Sequence, residues 1–192
     1  METPSIASAR SLRNLYFVRT AFQVVFAAGV ITTAVRQPQV AAVLFLLYPL
    51  WDVACTIYDL NTFSKSGSAR TSQIINAVLG VATAAGIGLT VFHNPILAVA
   101  IFGLWAFGAG VLQWVVGLIR RKELGGGQWS MILSGAQSAL AGLFFVILGL
   151  KDKQHVKDIG GYAIFGALYF LIGGVLLSRK LSKTATTAAA IS

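Results

Sequence analysis

Residues 95–119 read PILAVAIFGLWAFGAGVLQWVVGLI, and this stretch decides the fold. It contains no charged side chain, and its one proline stands first. It is long enough to cross the hydrocarbon core of a bilayer, which takes about 20 helical residues. Gly103, Gly110 and Gly117 recur every seven residues, the spacing of one helix face. The stretch therefore predicts a transmembrane helix with a face of small residues.

Five further stretches have the same character. The chain of 192 residues is 56% apolar and 11% charged, with a mean hydropathy of +0.76. Six crossings at about 20 residues each leave about 70 residues for loops and tails, which disfavours a separate soluble domain. We expect one all-α membrane domain over residues 1–192, ending in a disordered tail at 184–192. The predicted spans are 15–35, 39–58, 72–92, 96–119, 129–150 and 159–178.

The connections and the basic residues predict the topology. The first and third connections are tight and end in Pro38 and Pro95, and proline suits the first turn of a helix. Of the fifteen Lys and Arg residues, eleven fall on the side of the two termini, so both termini should be cytoplasmic. The net charge of +9 then reflects a collar held against anionic lipid headgroups, and no nucleic-acid partner is expected. The eleven are Arg10, Arg13, Arg19, Lys65, Arg70, Arg120, Arg121, Lys122, Arg179, Lys180 and Lys183.

The chain also shows an internal repeat. Gly29 precedes Pro38 by nine residues and Gly86 precedes Pro95 by nine, an offset of 57 for both. Offsets of 62 and 63 relate the following segments in the same way. The pattern predicts three two-helix hairpins that all point the same way around a pseudo-threefold axis along the membrane normal, unlike the inverted repeats of many transporters. The hairpins are approximately 15–58, 72–119 and 129–178.

Small residues recur on the fifth and sixth spans as well as on the fourth. In lipid there is little hydrophobic drive between helices, so small side chains favour association by letting backbones approach closely. Two interpretations stay open for these faces. They pack within one chain, or they form contacts between the subunits of a homo-oligomer.

These features resemble one family, the short-hairpin-repeat membrane proteins typified by the HdeD acid-resistance protein of enteric bacteria. The resembling residues are Gly29…Pro38, Gly86…Pro95, FGLWAFGAG at 102–110, and RRKELGG at 120–126 leading into Ser134-Gly135. The resemblance implies a six-span protein of the bacterial inner membrane, linked to acid or envelope stress, with no catalytic residues to carry over. The first hairpin departs from the pattern, because Pro49-Leu50-Trp51-Asp52 stands in place of glycines.

Two ionisable residues fall inside predicted spans. Such groups are costly in a membrane and mark candidate functional sites. Arg19 lies in the first span and Asp52 in the second, and a hairpin that turns near Gln37 brings them to within about 3 Å of the same level. We expect them to pair. Asp59 is predicted to lie at the membrane boundary, where solvent satisfies it.

The repeat brings further polar residues to the depth of this pair. At the repeat offsets, Arg19 corresponds to Asn76 and then to Ser138. One interpretation is a cytoplasm-facing pocket for a small polar or anionic ligand, with Arg19 as charge donor and Asp52 as its orienting partner. The other is an internal ion pair with interhelical hydrogen bonds that fix register. The candidate ligand-binding residues are Arg19, Gln23, Asp52, Asn76, Gln113 and Gln137.

No catalytic pattern is present in the sequence. It contains no HExxH, no GxSxG and no pair of carboxylates at catalytic spacing, so we expect no enzyme activity, no metal and no cofactor. The first functional hypothesis is a noncatalytic membrane protein that acts by assembly or envelope protection. The second is a small channel or carrier built around Arg19 and Asp52. A third is an assembly partner for another membrane complex.

Overall fold

The computed structural model describes residues 6–63, 67–124 and 128–191, and for 123–124 and 184–191 it describes the backbone alone. Lys65, the glycine run at 125–127 and Ser192 lie outside the described residues. The described residues form six α-helices. These are α1 (Ile6–Thr33), α2 (Pro38–Thr62), α3 (Gly67–Thr90), α4 (Pro95–Leu124), α5 (Trp129–Gly149) and α6 (Asp158–Ile191).

The prediction of six membrane-crossing helices is confirmed, since all six are long and apolar enough to span a bilayer. Helices α2 and α4 begin at Pro38 and Pro95, as the connections predicted. The helices extend past the predicted spans, most at the two ends of the chain, where α1 begins at Ile6 and α6 runs to Ile191. Residues 184–191, expected to be disordered, are therefore helical, in keeping with the high helix propensity of their alanines.

The helices close into a ring. Among the described residues, each helix packs against two others, in chain order, and α6 returns to α1. Short connections make consecutive helices antiparallel. One end of the ring, the terminal end, therefore carries the start of α1 and the end of α6. The other, the hairpin end, carries the connections at 34–37, 91–94 and 150–157.

Helix α2 shows how the interior of the ring changes along its length. From the terminal end inward, side chains at intervals of three or four residues form one helix face. The first three are polar and the last two are aromatic. The ring is therefore polar inside near the terminal end and aromatic near its middle. In order these residues are Asp59, Thr56, Asp52, Tyr48 and Phe45.

The outer face of the ring is apolar. Val25, Leu89 and Leu104 are among the large aliphatic side chains that stand exposed there. Exposed apolar surface on this scale would be unfavourable in water and is what contact with a lipid bilayer requires. The chain is therefore a multi-pass membrane protein.

The most extensive interface joins α4 and α5, which belong to different predicted hairpins. A Cβ atom at Gly110 would lie 2.7 Å from the carbonyl oxygen of Gly135, and one at Gly103 would lie 2.7 Å from the backbone nitrogen of Val146. A Cβ atom at Gly117 would lie 2.9 Å from Cγ1 of Ile132 in α5 and 3.2 Å from the backbone nitrogen of the same residue. The seven-residue glycine face of α4 therefore packs within the chain, where it brings two backbones into contact.

We expect Gly110→Ala to lower the free energy of unfolding by about 1–3 kcal/mol, because the new methyl group must push two backbones apart. Gly161→Ala is the matched control, since a Cβ there meets nothing within 4 Å. The measurement is SDS-induced unfolding from mild detergent, followed by circular dichroism. Equal midpoints for the two variants would show that the α4–α5 backbones are not in close contact.

Candidate functional site

A polar cavity lies inside the ring toward the terminal end. Its volume is about 70 Å³. Since a water molecule takes up about 30 Å³ in the liquid, the cavity is large enough for a few waters or one small molecule. Side chains of all six helices line it, among them Tyr16, Trp51, Gln73, Trp105 and Ser138.

The predicted ion pair is present in this cavity. The Arg19 Nη1 atom donates to Asp52 Oδ1 at 2.8 Å. Asn76 Nδ2 donates to the other carboxylate oxygen at 2.8 Å, and also to Thr56 Oγ1 at 3.1 Å. The Arg19 guanidinium lies 5.0 Å from the centre of the Phe170 ring. Helices α1, α2, α3 and α6 thus meet at one carboxylate and one guanidinium.

A second ion pair lies nearer the terminal end, and the sequence interpretation missed it. Arg120 Nη2 donates to Asp59 Oδ2 at 2.5 Å, and Gln73 Nε2 donates to the same oxygen. Asp59 is 2% exposed, so the expectation that solvent satisfies it is wrong. Arg120, assigned from sequence to the basic collar, is 1% exposed. The available signal was the seven-residue spacing from Asp52 to Asp59, which puts both carboxylates on the inner face of α2.

Five of the six predicted site residues line the cavity. They are Arg19, Gln23, Asp52, Asn76 and Gln113. Gln137 does not, although Ser134 and Ser138 of the same helix do. Successive residues of a helix are about 100° apart, so Gln137 lies to one side of the helix face that carries Ser134 and Ser138.

An aromatic layer closes the cavity on the side of the hairpin end. We define it as Phe45, Tyr48, Phe102, Trp105, Phe145 and Tyr162. Phe102 is at its centre, with ring centroids of the other five within 5.3–5.9 Å. The layer is held to the polar region by two hydrogen bonds, from Gln23 Nε2 to Tyr48 Oη at 3.2 Å and from Tyr162 Oη to Ser138 Oγ at 3.0 Å.

A second, wider cavity lies beyond the aromatic layer at the hairpin end. Its volume is about 490 Å³. Its lining is mostly apolar and includes Ala34, Pro38, Val91 and Pro95, with His155 at its edge. Along α2, Phe45 separates Ala42 of this cavity from Tyr48 of the polar one. The ring thus holds one cavity toward each end, with the aromatic layer between them.

The chemistry open to the polar cavity is binding through hydrogen bonds. Among the described residues, no group of three or more His, Cys, Asp and Glu is placed to hold a metal ion. Both carboxylates in the lining are engaged by a guanidinium and an amide. The cavity therefore presents polar contacts for a small molecule.

Comparison with known proteins returned no match among models of protein families, curated proteins or solved structures. The resemblance to HdeD-type proteins stays a prediction that rests on the glycine–proline pattern of the sequence. The function of the site is therefore inferred from its geometry and chemistry.

We expect Arg120→Gln to lower the free energy of unfolding by about 3–5 kcal/mol, because it leaves the Asp59 carboxylate buried beside a neutral group. The control is Arg121→Gln, whose side chain is exposed and stacks on Trp129. SDS unfolding of Arg120→Gln, of Asp59→Asn and of the double variant Asp59→Asn/Arg120→Gln measures the coupling, with Arg121→Gln unfolded alongside. Since the double variant has no unpaired charge, its loss should be smaller than the sum of the single losses. Additive losses would show that the two groups do not interact.

Proposed function

We propose that this protein is a small channel or carrier that takes up a small polar solute in the polar cavity and does not catalyse a reaction. The observation that carries the proposal is that Arg19 and Asp52 both line the cavity, rather than being sealed between α1 and α2. Their side chains are 14% and 16% exposed, against 1% and 3% for Arg120 and Asp59. The Arg19–Asp52 pair is therefore the more accessible of the two pairs to a molecule in the cavity.

The presence of a cavity toward each end of the ring supports a path for the solute through the protein. The polar cavity lies toward one end and the apolar cavity toward the other, with the aromatic layer between them. The three phenylalanines of the layer, Phe45, Phe102 and Phe145, carry no hydrogen-bonding group, so their side chains can rotate without breaking hydrogen bonds. In this proposal the aromatic layer is the barrier that a transported solute passes.

The proposed location of the protein is a bacterial inner membrane. Both termini lie in the cytoplasm in this proposal, so the polar cavity is on the cytoplasmic side. The support is the excess of Lys and Arg toward the terminal end, which also favours anionic lipid headgroups. The three hairpins are proposed as repeats around a pseudo-threefold axis, supported by the offsets in the sequence. A homo-oligomer is proposed from the faces of small residues in the sequence, and a role in acid or envelope stress from the HdeD resemblance alone.

The test is solute flux into proteoliposomes, followed by stopped-flow light scattering with urea, formamide, glycerol, formate and chloride. We expect the protein to raise the rate for at least one solute above that of empty liposomes, and Asp52→Asn and Arg19→Gln to change that rate. Matched controls are Asp152→Asn and Arg36→Gln, which make the same chemical changes at exposed positions of the hairpin end. Asp152 has φ of 56°, a conformation that asparagine also adopts readily.

Two results would contradict the proposal. One is flux no faster than through empty liposomes for every solute. The other is a pair of cavity variants that fold less well but, once folded, transport at the unaltered rate. In that case the Arg19–Asp52 pair is structural.

A further inference from the structure

We infer that the solute of the polar cavity is a small neutral molecule with both hydrogen-bond donors and acceptors, of the amide or polyol class, and not an anion. This inference rests on the proposed function and names its substrate class. It departs from the assignment of Arg19 as a charge donor for an anionic ligand.

The charges of the cavity cancel and are engaged with each other. The charged residues in its lining are Arg19, Asp52, Asp59 and Arg120, two of each sign. Each guanidinium contacts a carboxylate, and each carboxylate also accepts from an amide. An incoming anion would have to lose its hydration and approach the Asp52 carboxylate as closely as the Arg19 guanidinium, because the two groups are paired at 2.8 Å. In the low dielectric of a membrane interior that approach is costly, whereas a neutral molecule avoids the cost.

Neutral side chains of the lining also carry unpaired hydrogen-bonding atoms, both donors and acceptors. Among the described residues, Trp51 Nε1 and Trp105 Nε1 have no acceptor, and Gln23 Oε1 and Asn76 Oδ1 have no donor. All four atoms are buried, and Gln23, Asn76 and Trp105 are more than nine-tenths buried as whole residues. All four residues line the cavity, and buried polar atoms without partners are costly, so a small molecule that reaches these atoms on entering gains hydrogen bonds.

The orientation of these groups is fixed by their neighbours. A carboxylate only accepts hydrogen bonds, so Asn76 must direct its NH₂ group to Asp52. The side-chain oxygen of Asn76 then has no hydrogen-bond donor. The Trp51 indole is stacked on Phe22 with centroids 4.4 Å apart. The Trp105 indole is 5.3 Å from the Phe102 ring and 6.0 Å from that of Tyr48. Two donors and two acceptors are therefore held in place before a solute arrives.

The size of the cavity narrows the class further. A volume of about 70 Å³ suits a solute of about three to six non-hydrogen atoms. Urea, formamide and glycerol are of this size, and each carries donors and acceptors. Sugars and nucleotides are too large for the cavity as it stands.

Flux in proteoliposomes tests the inference, with urea, formamide and glycerol as neutral probes and formate and chloride as anionic probes. We expect a rate above empty liposomes for at least one neutral probe and for neither anion. Flux of formate or chloride without the neutral probes would overturn the inference while leaving the proposed function in place. Flux of water alone would overturn the inference as well. No flux of any probe would instead contradict the proposed function.

A single substitution links the flux to the unpaired atoms. Trp105→Phe removes the indole N–H but keeps an aromatic ring, and we expect it to lower the apparent affinity for the neutral probe roughly two- to tenfold. Trp114→Phe is the matched control, because Trp114 is on the same helix but outside the cavity lining. If Trp105→Phe does not fold, Trp51→Phe makes the same change at the second donor. Equal affinities for the Trp114→Phe protein and a folded cavity variant would overturn the inference.

Discussion

The structure depends on how it accommodates four charges inside a membrane-spanning ring. A lone charge among apolar helices would cost several kcal/mol, and the cost falls only when a partner and further hydrogen bonds are present. Arg19 with Asp52, and Arg120 with Asp59, meet that condition. Because both carboxylates come from α2 and the guanidiniums come from α1 and α4, the two pairs hold three helices around one interior.

The glycine faces make that interior possible. Helices α4 and α5 approach until only glycine fits between them, at Gly103 and Gly110 on one side and Gly135 and Gly142 on the other. Gly166 of α6 similarly lies against the Gln23 side chain. Close backbone contact at the interfaces turns large side chains either outward to lipid or inward to the aromatic layer. The polar cavity is what remains where the inward side chains are short or charged.

Much of the fold could be predicted from the sequence, because the length of an apolar stretch and the position of a proline can be read from neighbouring residues alone. The six spans, the starts of α2 and α4 at Pro38 and Pro95, and the pairing of Arg19 with Asp52 all follow from residues close in sequence or from one hairpin. The Arg120–Asp59 pair could not be predicted in this way, because its two residues are 61 positions apart in the sequence. Each of them also fits a solvent-exposed position at the membrane boundary.

The predicted site was more accurate in composition than in geometry. Depth along a helix follows from counting residues, so Gln23, Asn76 and Gln113 were placed at the right level. The direction in which a side chain points depends on how each helix is rotated in the ring, which is set by its packing partners. Gln137 is therefore at the right depth but beside the lining face of α5, and the two tryptophans of the lining gave no signal in the sequence.

The most direct test of this account is the hydration of the cavity in a lipid bilayer. Transfer of magnetisation from water to side chains in solid-state NMR reports which groups touch water without altering the protein. The account predicts rapid transfer to the side-chain amides of Gln23 and Asn76, comparable to that of the exposed Asn94. The fully buried methyl groups of Ile87 should show none. Transfer to Gln23 and Asn76 as slow as that to Ile87 would show that the ring interior is dry and would contradict a polar cavity open to solute.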